Sequence, residues 1–132
     1  MIFIEFQTKD DKAISYNVEN VVFVGEMKDK VSVLLSDGTH LLLSDEYVSV
    51  VKDLIEKTKS IIDPSVYVQF ETKKEERIAF PIRRVFYILE QEETTAIMFN
   101  DGTRIEVLSD YGSVVKRINS RFEVAVERPA KV

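Results

Sequence analysis

Sliding the 132-residue chain against itself by 64 positions aligns residues 3–58 with residues 67–122, and fourteen of those 56 positions are identical. The identities include Phe6/Phe70, Thr8/Thr72, Ile14/Ile78, Val21/Val85, Tyr47/Tyr111, the Asp-Gly-Thr at 37–39 and 101–103, and residues 49–52 with 113–116. Conservative pairs lie between them, among them Ile4/Val68, Tyr16/Phe80, Val33/Ile97 and Leu54/Ile118. Agreement of pattern and spacing over a whole unit is the signature of an internal repeat. Whatever one half folds into, the other half has to be able to fold into as well.

Within each half the hydrophobic period changes once. Ile2, Ile4 and Phe6 alternate with polar residues, as do Val66, Val68 and Phe70, which marks a half-buried strand. A charged turn follows, then a short strand with Ile14 and Tyr16, or Ile78 and Phe80. A third strand runs through VENVVFVG or IRRVFYIL, a fourth through KVSVLLS or TTAIMFN, and a fifth through THLLLS or TRIEVLS. The period then becomes helical. Tyr47, Val50, Val51 and Leu54 stand at i, i+3, i+4 and i+7, and Tyr111, Val114, Val115 and Ile118 repeat the stripe. Asp45 and Ser109 are the expected N-caps, because their oxygens can accept from first-turn amides.

The expected fold class is therefore α+β: a tandem duplication of five antiparallel strands closed by one helix, with pseudo-twofold packing. Residues 1–63 form the first unit and residues 64–132 the second, in one body. The twofold arrangement would hide each unit's apolar face. Asp63-Pro64 ends the linker KSIIDPS, since a proline disfavours helical geometry in the residue before it. FEVAVE alternates Phe122, Val124 and Val126 and reads as a last strand, and RPAKV as a loose tail.

Charge bears on partners. The net charge is −5, and residues 1–64 hold 7 basic and 12 acidic side chains against 11 of each in residues 65–132. Nucleic-acid affinity needs clustered cations, so only the second half could present such a patch. There is no run of about 18 apolar residues that would span a membrane. The N-terminus lacks a basic region before its apolar residues, which argues against a signal peptide. With no Cys there is neither a disulfide framework nor a thiolate metal site, which fits a reducing, cytoplasmic setting.

The motifs with chemical potential reduce to structure one after another. Asp-Gly between alternating runs is a hairpin signal, with positive φ expected at both residues of a type I′ turn. A calcium loop would need more oxygen ligands at fixed offsets. His40 is the single histidine and has Arg104 as its counterpart, and no second His or Cys completes a metal site. Asp10-Asp11, Glu75-Glu76 and Glu92-Glu93 sit in charged turns, whereas acid–base catalysis on a sugar needs carboxylates facing across a cleft. No catalytic residue, metal or cofactor is assigned, and an enzyme is not expected.

Two surfaces remain. Phe3, Phe23, Tyr67 and Tyr87 stand in the strand phase opposite the core residues, so some must face away from the helix. Tyr67 and Tyr87 with Lys73, Lys74, Arg83 and Arg84 could form a stacking platform for single-stranded nucleic acid. Leu42, Val48 and Ile55 are apolar where the second half has Glu106, Gly112 and Asn119, which suggests an interface with a protein partner or a second copy.

The segment VENVVFVGEMKDKVSVLLSDGTHLLLSDEYVSVVKDLIE resembles small FlbD-type flagellar proteins and the strand core of LytTR-type DNA-binding domains, and IRRVFYILEQEETTAIMFNDGTRIEVLSDYGSVVKRI fits as well. The shared features are an Ile/Val-rich strand, a second strand, an Asp-Gly or Asn-Gly hairpin, another strand and a helix. In LytTR-like domains an Arg-His-Arg-Ser followed by Val-Asn carries DNA contacts beyond this helix. Here TKSIIDPS and SRFEVAVE stand in its place, and no functional residue is carried over. In outline the doubled unit is also similar to Pur-alpha and Whirly-like single-strand binders. The expected function is a non-catalytic interaction or regulatory module, an accessory protein of a bacterium or phage that binds a protein partner. The alternative is a single-stranded nucleic-acid binder.

Overall fold

The computed structural model describes residues 3–8, 10–58, 67–72, 74 and 76–127. The first half contributes β1 (Phe3–Gln7), β2 (Ala13–Asn17), β3 (Val21–Glu26), β4 (Val31–Leu35), β5 (His40–Leu43) and α1 (Tyr47–Thr58). The second contributes β6 (Tyr67–Glu71), β7 (Arg77–Pro81), β8 (Val85–Glu90), β9 (Thr95–Phe99), β10 (Arg104–Val107) and α2 (Tyr111–Glu127). Each of these elements starts 64 residues after its counterpart. The fold is α+β with antiparallel sheets, and the described strands fall where the period of two placed them.

The pairing between the halves departs from expectation. β7 keeps its pairing with β6 and on its other edge pairs with β3 of the first half, through Val24↔Ala79 and Gly25↔Ile78. The result is a five-stranded sheet of order β5-β4-β3-β7-β6, flanked by the hairpin β1-β2 and the three-stranded sheet β10-β9-β8. Bridges join the sheets: Thr8 to Leu43 and Thr72 to Val107, with Ser44 N–H donating to Gln7 O and Leu108 N–H to Glu71 O. In space the strands thus succeed one another as β2-β1-β5-β4-β3-β7-β6-β10-β9-β8. A pseudo-twofold contact would require the reciprocal pairing of β8 with β2. No described strand pairs with the outer edge of either, so the twofold expectation is corrected to a one-way joint.

That joint has a legible cause. The β6–β7 hairpin is apolar on both faces, with Ile78, Phe80 and Pro81 beside Ala79, where β2 has Ser15 and Asn17. A strand buried on both sides is a near-continuous apolar run. Tyr67 and Ala79 accordingly join a core with Ile4, Phe6, Val24, Val33, Leu43, Val50 and Leu54. Val68, Phe70, Ile78 and Phe80 join a second core with Val22, Leu34, Ile97, Phe99, Val114 and Ile118. Each fully buried aliphatic or aromatic side chain contributes about 1.5–3 kcal/mol, so the hairpin stabilises both halves.

The helices lay their stripes as expected except at one position. Tyr47, Val50 and Leu54 are buried, as are Val114 and Ile118, but Tyr111 is substantially exposed because no described hairpin packs over it. The second-helix cap lies one residue later than Ser109. Asp110 Oδ1 accepts from Ser113 N–H at 2.8 Å, while the Ser109 carbonyl accepts from Thr95 Oγ1 at 2.7 Å. α2 also continues through FEVAVE, where a strand was expected. Extending a nucleated helix fixes one residue per hydrogen bond, whereas an alternating run becomes a strand only if an edge receives it. The linker residues 59–65 and the tail 128–132 lie outside the described residues.

The Asp-Gly-Thr segments are turns, though of a different type from that expected. Within these two turns Gly38 (φ +92°) and Gly102 (φ +93°) are left-handed, and Asp37 and Asp101 are not. Leu35 N–H donates to Thr39 O and Gly38 N–H to Leu35 O, and the 99–103 turn repeats both bonds. This is the three-residue hairpin loop with glycine at the left-handed position. Asp37 and Asp101 each accept from the amide two residues on, at 2.9 and 3.0 Å.

Candidate nucleic-acid interface

The residues proposed for nucleic-acid contact are dispersed. Tyr67 opens β6 and is buried in the first core, so its ring is not available for stacking. Its phenol and those of Tyr16 and Tyr47 are pushed upward by burial and remain protonated at neutral pH. Lys74 lies in the β6–β7 turn, exposed, and Lys73 lies outside the described residues. Arg83 and Arg84 lie at the other end of that hairpin, in a single 3-10 turn, Ile82–Arg84. A five-residue strand separates the two ends by about 13 Å or more. Lys74 and the two arginines are therefore not one cluster.

The arginines already have a structural task. Arg83 Nη2 donates to the Glu19 carbonyl at 3.1 Å, and Arg84 Nη2 donates to the same oxygen. The acceptor belongs to the matching 3-10 turn of the first half, Val18–Asn20. Two guanidinium groups thus converge on one carbonyl across the joint. Burial, and secondarily the neighbouring Arg83 charge, lowers the Arg84 pKa. Arg83 remains exposed; Arg84 is half-buried.

Tyr87 does face outward. β8 pairs β9 through Tyr87↔Met98, and β10 pairs β9 through Arg104↔Met98. Residues directly opposite one another share a face, so Tyr87, Met98 and Arg104 form a row across the three-stranded sheet. Ile88, Ile97 and Ile105 point the other way, into the second core. Arg104 holds Glu106 at 2.9 Å, with its side chain 44% exposed. Sequence reasoning passed over Arg104 as the counterpart of His40, although cross-strand register places it on the same face as an outward tyrosine, on the far side of Met98. His40 itself is exposed on β5, its Nδ1 3.2 Å from Ser32 Oγ.

The three residues proposed as an interface do not form one surface. Leu41 and Leu43 face α1 in the first core, so Leu42 between them points to the opposite side of the sheet. Ile55 is half-buried against that same first core, and Val48 is exposed at the start of α1. Val48 lines a shallow cleft of about 360 Å³ with Glu26, Lys28, Lys30, Tyr47 and Arg77, a wall of mixed charge.

No protein-family model matches the chain, and no curated protein sequence matches it. A solved structure does: the LytTr DNA-binding domain of a response regulator from Bacillus cereus, with a TM-score of 0.58 and 12% identity. The match covers 90% of this chain and 97% of that one. At this identity it shows a shared fold. It also corrects the sequence resemblance in extent, since one such domain corresponds to the whole chain and not to each half. No described helix is long and apolar enough to cross a membrane.

Proposed function

We propose that the chain is a non-catalytic nucleic-acid-binding domain that uses the outer face of the β8–β10 sheet. The observation that carries the reading is the exposed Tyr87–Met98–Arg104 row on a fold shared with a DNA-binding domain. A tyrosine supplies a π-face on which a base can stack, and an arginine on the same face, one strand beyond Met98, supplies positive charge for the phosphate backbone. The row lies in the charge-balanced half, while the excess of acid lies in the first. We further propose that residues 1–63 and 64–132 descend from one duplicated unit, which the 64-residue spacing of all twelve elements supports.

Fluorescence anisotropy with single- and double-stranded oligonucleotides at two salt concentrations tests the binding. Binding that weakens with salt is expected, with a shallow slope because few cations are involved; each phosphate contact contributes about −0.7 to the slope for single strands. Tyr87→Ala should weaken single-strand binding by about 1–3 kcal/mol. No binding of either form at low salt sinks the proposal.

A further inference from the structure

The joint between the halves is used once, yet both of its surfaces occur twice. β3 and β8 are counterparts, as are β7 and β2, and both β3 and β8 carry a bulge at the same place. In the joint, β7 covers β3 and the hairpin packs over the head of α1. At the two ends of the strand succession no described residue covers the corresponding surfaces. Val22 is 0% exposed where its counterpart Phe86 is 72% exposed, and Tyr47 is 4% exposed where Tyr111 is 40% exposed. On the covering side, Tyr67 is 4% exposed where Phe3 is 54% exposed. Tyr87 and Leu89 are also open, as is Ser15, the counterpart of buried Ala79.

From this we infer that copies of this chain assemble head to tail: β8 of one pairs antiparallel with β2 of the next, as β3 pairs with β7 within the chain. An exposed apolar edge strand is a template for strand addition. Here the chain already shows which strand fits that edge and in which register. Translating Val24↔Ala79 and Gly25↔Ile78 by the repeat gives Ile88 opposite Ser15 and Leu89 opposite Ile14 of the next copy. The contact is heterologous, so it propagates into a filament or closes into a ring.

The inter-chain joint is weaker than the internal one. Within the chain, Arg77 grips Glu26 at the end of the pairing. The counterpart of Glu26 is Glu90, but Ala13 stands where Arg77 does. Assembly should therefore depend on concentration, and Ala13→Arg should strengthen it by restoring the ion pair. A partly exposed pair of this kind is worth about a two- to fivefold shift in the association midpoint. Tyr87 belongs to this surface and to the proposed nucleic-acid face, so assembly is tested without oligonucleotide.

The chain has no cysteine, which makes disulfide trapping specific. A chain with Ile88→Cys is mixed with a chain with Ser15→Cys under mild oxidation, and a single chain with Val24→Cys and Ala79→Cys reports whether the register permits the bond. The expected product is a mixed dimer that forms only when both single-cysteine chains are present, more at lower concentration when Ala13→Arg is added to the Ser15→Cys chain. Ile88→Cys homodimers as the main product would show β8 pairing with itself and overturn the inference. So would sedimentation of the unmodified chain as a monomer across its soluble range. Failure of the oligonucleotide experiment would remove the nucleic-acid reading and leave the cross-link untouched.

Discussion

Arg77 donates to the Glu26 carboxylate three times: through its backbone N–H at 3.0 Å, Nε at 3.0 Å and Nη2 at 2.6 Å. The two residues come from different halves, 51 positions apart, at the end of the β3–β7 pairing. The guanidinium also lies over the Tyr47 ring, 4.7 Å from its centroid, and the Tyr47 hydroxyl donates to Gln69 Oε1 at 3.1 Å. A latch of four side chains thus closes the joint that no sequence period announces.

The latch predicts a specific acid sensitivity. Hydrogen bonds from Arg77 hold the Glu26 carboxyl below the ordinary glutamate range. A depressed folded-state pKa stabilises above the unfolded value, and the contribution is lost as pH falls through the folded one. Both side chains are about a third exposed (38% for Arg77, 30% for Glu26), so solvent screening keeps the effect to about 1 kcal/mol or less. Glu26→Gln should lower urea stability at neutral pH by that amount. It should also lose less than the parent when both are acidified below the glutamate range. Equal acid losses in the two proteins would remove Glu26 from the account.

The turn glycines should be intolerant for a backbone reason alone. A Cβ at Gly38 or Gly102 would meet nothing within 4 Å, yet both residues are left-handed. Gly38→Ala and Gly102→Ala should each cost about 1–2 kcal/mol in chemical denaturation, the left-handed penalty of an L-residue. A neutral result would mean the loop relaxes to another turn.

Two phenylalanines six positions apart should behave in opposite ways. Phe80 stacks on Phe70 at 5.9 Å and meets Phe99 edge-on at 5.1 Å, with no exposed surface. Phe80→Ala should cost about 3–5 kcal/mol. Phe86→Ala, on the open side of β8, should change stability by about 0.5 kcal/mol or less, measured on dilute protein. Similar losses at both sites would contradict the layered core.

The helix cap separates two readings of one segment. Asp110→Ala should cost about 0.5–2 kcal/mol, because the Ser113 amide loses its acceptor. Ser109→Ala should be close to neutral, since Thr95 Oγ1 binds the backbone carbonyl of Ser109 and not its side chain. Thermal melts of the two variants decide the matter.

Much of the candidate site was hidden for related reasons. Arg83 and Arg84 look like free cations in the sequence. They are spent on the Glu19 carbonyl, whose proximity depends on the joint. Tyr67 has the phase of an outward residue within its own half, and is covered only because α1 of the other half lies against that face. Tyr87 has the same phase and stays outside, because no described element of the first half lies against that face. The difference between the two tyrosines was not in their neighbourhoods along the chain.

What the sequence determined by itself was local. The alternation of Ile4 and Phe6, the stripe from Tyr47 to Leu54, the Asp-Gly hairpins and the doubling of the whole series all follow from side-chain periods and turn chemistry. These act within a few residues. Tertiary structure alone decided that β7 would cross to β3, leaving β2 and β8 as unpaired ends. Backbone hydrogen bonds at a strand edge are alike for every candidate partner, and the choice falls to whichever pairing buries more apolar surface on both faces.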